Sequence, residues 1–133
     1  MKTALALMLF ALPVVTQAQT FRSAPGESMD SFIVRIAKDV TKLSRASRNV
    51  EVCGAIEKVD DVFMVTMTTG EKFRCEFSVS DNFTGQSLHT HPVNADMGFS
   101  DHDYTVGPGY LIQRGMVLHQ DGSAKTVRRV KSQ

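Results

Sequence analysis

Ser87-Leu88-His89-Thr90-His91-Pro92, continued by Phe99-Ser100-Asp101-His102-Asp103, holds three of the four histidines in a chain of 133 residues. Gln86 to His91 reads as a strand, ended by Pro92, which has no N–H to give to a ladder. Val93 to Gly98 reads as a loop, and Ser100 to Val106 as a short helix stopped by Gly107-Pro108-Gly109. Side chains at i and i+2 of a strand share a face and stand about 7 Å apart. His89 and His91 can therefore converge on one ion. Zinc with an open catalytic position takes three protein ligands and a water, and a carboxylate can be the third. Asp103, one helical turn beyond Ser100, suits that role; Asp101 is the alternative, and spacing does not decide between them. His102 points elsewhere if the segment is helical. A local reading competes with the metal: Ser100 and Asp103 also fit a capping box, and His-Thr-His can be two polar residues on an exposed strand face.

Outward from this stretch, Met29, Phe32, Ile33, Ile36, Val40 and Leu43 recur at spacings of three and four. They predict an amphipathic helix over 28–48, with Ser28 as N-cap, Asn49 at its end, and a stripe that packs in the core. Val50 to Ile56 predicts a buried strand carrying Glu51. Its valine neighbours would turn inward and Glu51 to the other face, toward a cleft or water. Asp60-Asp61 predicts a turn into a strand from Val62 to Met67, and Thr68 to Glu71 a second turn with Gly70 at positive φ. Lys72 to Phe77 alternates charged and apolar residues and predicts a half-exposed strand. Tyr110 to Gln113 and Met116 to His119 predict a hairpin across Arg114-Gly115, with His119 at the surface. A last turn at Asp121-Gly122 leads to Lys125-Thr126-Val127-Arg128. The fold class expected is α+β: a single domain with a mainly antiparallel sheet, an N-terminal helix and a short helix after the H-x-H strand.

Glu51-Val52-Cys53-Gly54, then His89-Thr90-His91-Pro92, then Ser100-Asp101-His102-Asp103 resembles the JAMM (MPN+) zinc metalloproteases. The family pattern is a glutamate, usually in E-x-C-G after a helix, then H-x-H-P, then S-x-x-D. The resemblance covers most of the chain in element order and implies an MPN, cytidine-deaminase-like fold. It implies zinc ligation by His89, His91 and Asp103, with Glu51 as general base and then general acid. It implies oxyanion stabilisation by Ser100 and a peptide or protein substrate. The interval from His91 to Ser100 is one residue longer than the usual spacing, and a loop with Gly98 can absorb it. Inserted segments of the kind that grip ubiquitin are lacking, so small bacterial members are the closer comparison.

The N-terminus bears on location. Lys2, an apolar run from Ala4 to Val15 and the small-residue exit Thr16-Gln17-Ala18 predict a secretory signal peptide over residues 1–18, bacterial in type. Gln19 to Gly26, rich in small residues and without a period, predicts a flexible leader over 19–27, with the metalloprotease domain over 28–133. The protein is then secreted or periplasmic, with no membrane span left once the signal is removed. Cys53 and Cys75 can pair in such a compartment or stand as two small buried side chains. A net charge of +1 gives no case for nucleic acid, and Arg128-Arg129-Val130-Lys131 reads as a solvated tail. A zinc-dependent metallopeptidase or isopeptidase is the function expected. A non-catalytic module of the same fold, or a periplasmic metal carrier, is the alternative.

Overall fold

The computed structural model describes residues 18–46 and 49–131. The expected signal peptide lies, but for Ala18, outside the described residues. Two helices, α1 (Met29–Ala46) and α2 (Asp101–Val106), accompany a seven-stranded sheet. Its strands are β1 (Gln19–Arg22), β2 (Val52–Val59), β3 (Val62–Thr69), β4 (Phe83–Thr90), β5 (Gly109–Gln113), β6 (Met116–Gln120) and β7 (Arg128–Val130). The order is β1-β3-β2-β4-β5-β6-β7. Every pairing is antiparallel except β4 with β5, which run parallel because α2 makes the crossover between them.

Helix α1 starts where Ser28 Oγ accepts the Ser31 N–H at 3.1 Å. After it, Asn49 takes φ +57 and sends its N–H to Ser44 O at 3.0 Å, a left-handed stop. The helix lays Phe32, Ile33, Ile36 and Val40 on one face of the sheet. There they meet Val52 and Ile56 of β2, Val65 and Met67 of β3, Leu88 of β4, and Tyr110 and Ile112 of β5. Alternation then sends Cys53, Ser87 and His89 to the opposite face. Glu51 immediately precedes β2 and keeps that parity; its N–H donates to Glu71 O and its carbonyl accepts from Gly70 N. The hairpin between β5 and β6 turns on Arg114 (φ +50) and Gly115 (φ +73), the paired positive angles of a tight hairpin turn.

Four expectations change. Residues 19–22 are not a flexible leader: they form edge strand β1 on β3, with Phe21 in the core. Only one buried side chain in four residues marks it, so the backbone ladder rather than any periodicity holds it. Residues 72–77 are not a strand. β3 already lies between β1 and β2, and β2 between β3 and β4, so no edge beside them is free to accept another strand. Gly70 does not take positive φ; it is needed because a Cβ there would meet Arg74 O at 2.4 Å. Arg128 is no solvated tail residue: it lies in β7 and pairs with Asp30 of α1 at 2.8 Å.

Candidate metal centre

β4 delivers His89 to the face away from α1, and Pro92 ends the extended run just after His91. α2 brings Asp103 to them. Its first turn carries the capping box foreseen from the sequence: Ser100 Oγ accepts the Asp103 N–H at 3.3 Å, and Asp103 Oδ2 accepts the Ser100 N–H at 2.7 Å. The cap and the metal reading are therefore not rivals, because the cap orients the carboxylate whose Oδ2 also faces both imidazoles. His89 Nε2 and His91 Nε2 stand 3.1 Å apart, and each lies 3.3 Å from Asp103 Oδ2. Donors bound to zinc at its usual lengths sit about 3.3–3.6 Å apart at the corners of a tetrahedron. The three separations are of that order, and His89, His91 and Asp103 lie close enough to hold a metal ion. Asp101 is exposed and outside the group, so the helix settles which aspartate joins the histidines.

The loop between His91 and Ser100 is held by buried Gln113. Gln113 Nε2 donates to Asp96 O at 2.9 Å and its Oε1 accepts the Gly98 N–H at 2.8 Å. Gly98 takes φ +90 with open space around it. Asn49 Oδ1 anchors the other end by accepting the Val93 N–H at 3.0 Å.

Glu51, His89, Ser100 and Asp103 line one cleft of about 460 Å³; His91 is not part of its lining. Burial pushes the Glu51 carboxyl above the usual carboxylate range, although His89 and His91 pull it the other way. Burial also opposes ionisation of Asp103, but hydrogen bonds from His89 and His91 outweigh it and hold that carboxyl well below its ordinary value. Ser100 spends a lone pair on the cap and keeps its hydroxyl proton to give. His102, expected to point elsewhere, is exposed and lines the cleft but stays outside the three-atom group.

Cys53 and Cys75 form a disulfide across 22 positions, which decides the pairing that the sequence left open. It ties the irregular segment 71–80 to β2 and makes that segment a cleft wall. Spacing alone also missed Phe73, Phe77 and Phe99 as cleft residues. Phe99 was the most findable: it precedes Ser100, and its ring centroid lies 6.1 Å from that of His89. His119 is not at the surface. It is buried, hydrogen-bonded through Nε2 to Gln86 Oε1 at 2.9 Å and tilted against Tyr110 with ring centroids 4.6 Å apart, because it shares the α1 face of β6 with Val117. No family profile, curated protein or solved structure matches this chain.

Proposed function

We propose that this protein is a zinc-dependent hydrolase of peptide or isopeptide bonds, of the JAMM (MPN+) type and with an MPN-like fold. One observation carries the reading. Two histidine nitrogens and an aspartate oxygen form a triangle of zinc-site dimensions, on a cleft that also holds a half-buried glutamate and a serine hydroxyl. The element order supports the family assignment: helix, Glu51, hairpin, H-x-H strand, then a short helix opened by Ser100 and carrying Asp103. Zinc is the fitting ion because its ligand set is small, tetrahedral and content with two imidazoles and one carboxylate.

When bound, zinc supplies an electrophile and brings a coordinated water's pKa to about 7. His89, His91 and Asp103 would hold it. Glu51 takes a proton from the attacking water as its oxygen bonds to the carbonyl carbon. Glu51 then gives that proton to the departing amine as the C–N bond breaks. Its raised pKa suits both steps. Ser100 donates its hydroxyl proton to the oxygen on which charge develops. The disulfide and the apolar leader together support an exported, bacterial-type protein in an oxidising compartment. No helix among the described residues is long and apolar enough to cross a membrane.

The test is metal analysis joined to one substitution. The purified protein should carry about one zinc per chain, and Glu51→Gln should lower hydrolysis by about 100- to 10,000-fold with zinc retained. A folded protein that takes up no zinc, or a Glu51→Gln variant as active as its parent, would overturn the proposal.

A further inference from the structure

The cleft beside the three ligand atoms carries large apolar residues in its lining. Phe73 comes from the 71–80 wall, while Phe99 and Val106 come from the approach to α2 and its last turn. Phe73 is 71% exposed and Val106 51% exposed, though both are large and apolar. Neither belongs to the core cluster, so core packing does not account for their placement on this cleft. The charged lining is largely committed already: Arg74 pairs with Glu76, and Asp103 with the two histidines. Glu51 is reserved for proton transfer in the reading above. Lys72 Nζ lies 5.3 Å from the centroid of the Phe73 ring, which leaves the ring's other face to the cleft. The wall that carries Phe73 is fixed to β2 by the disulfide at Cys75, two residues on, so the apolar surface is formed before a ligand arrives.

We infer that the cleft selects a peptide with a bulky apolar side chain, aromatic or branched aliphatic, beside the cleaved bond. That side chain lodges between Phe73 and Val106 and against Phe99. This rests on the metallohydrolase reading and adds the substrate class to it. The metal-bearing end fixes the carbonyl, and the apolar walls cover the neighbouring side chain, removing Phe73 and Val106 from water in the same event.

Hydroxamate probes test this without needing turnover, because the hydroxamate chelates zinc directly. Isothermal titration of the zinc-loaded protein would compare the hydroxamates of N-acetyl-phenylalanine, N-acetyl-lysine and N-acetylglycine. The phenylalanine probe should bind about tenfold tighter than the glycine probe or better, and the lysine probe should gain little. Phe73→Ala should bring the phenylalanine probe down to the glycine value, and Val106→Ala should close part of the gap. Both positions are exposed, so the core is untouched by either change. Equal binding of the phenylalanine and glycine probes, a preference for lysine, or a phenylalanine preference that survives both substitutions would overturn the apolar subsite and leave the metal reading standing. Failure of every probe to bind zinc-loaded protein would overturn both.

Discussion

On the α1 face of the sheet, His119 Nε2 bonds to Gln86 Oε1, Tyr110 donates its hydroxyl to Asp30 at 2.5 Å, and Arg128 closes on both Asp30 oxygens at 2.8 and 3.0 Å. On the other face, His89 and His91 turn Nε2 toward each other and toward one Asp103 oxygen. The residue types are nearly the same, and the difference is one of arrangement. Each contact on the α1 face matches a donor to an acceptor, so the group is complete as it stands. In the cleft, His89 Nε2, His91 Nε2 and one Asp103 oxygen crowd one point, close enough together to hold a metal ion. Convergence of three ligand atoms on one point distinguishes the two faces, and residue identity alone does not.

The sharpest way to break this contrast is to remove one member of each cluster. Asp103→Ala should abolish stoichiometric zinc binding. The wild-type gain in unfolding free energy with zinc at a hundredfold excess over Kd, about 2.7 kcal/mol, should vanish with it. His119→Ala should keep the full zinc response. Scanning calorimetry with and without zinc reads both, and a His119→Ala variant that loses the response would erase the distinction.

The faces also differ in what holds them. The α1 face is regular strands under a helix, whereas the cleft wall at 71–80 depends on Cys53–Cys75. Replacing both cysteines by alanine should cost about 3 kcal/mol in urea unfolding, the chain-entropy value for a loop of this length. Limited proteolysis should then cut first within 71–80, and cutting in β6 instead would contradict the assignment of roles.

A smaller effect is expected from His119→Leu, which strands the Gln86 carbonyl in the interior and should cost about 1–3 kcal/mol. It should leave the cleft's zinc affinity at the wild-type level in a competition titration with a chelator. The smallest effect is one of pH. Burial first, and then the Arg128 charge, push the His119 pKa below its ordinary value, against the pull of Asp30 and Asp121. The unfolded chain therefore binds the proton more readily than the folded one. Stability from this residue is intact above the unfolded imidazole pKa of about 6.5 and declines as pH falls from there through the lower folded value. Urea midpoints between pH 7 and 5 should slope less in His119→Gln than in the parent, and equal slopes would remove His119 as the source.

Much of this architecture was legible before any coordinates. The 3–4 spacing from Met29 to Leu43 marked α1, Arg114-Gly115 marked the last hairpin, and Ser100 with Asp103 marked the start of α2. These are local features, set by side-chain periodicity and by hydrogen bonds three or four residues apart. The histidine pair was legible for the same reason, since a strand alone sets the i, i+2 relation.

Other features lay beyond local reasoning. Lys72–Phe77 has a convincing strand alternation, yet the neighbouring edges are taken, and only the sheet order reveals it. β1 carries almost no pattern and forms because β3 offers it an edge. His119 looked superficial until β6 was placed beneath α1. The sequence by itself determined α1, α2, the last hairpin and the histidine strand, and it nominated Glu51, His89, His91, Ser100 and an aspartate. The choice of Asp103 over Asp101, the Cys53–Cys75 link, the apolar cleft walls and the contrast between the two faces were decided by tertiary structure alone. Each depends on residues 12 to 98 positions apart meeting through the order β3-β2-β4-β5-β6-β7, and no short-range propensity encodes that meeting.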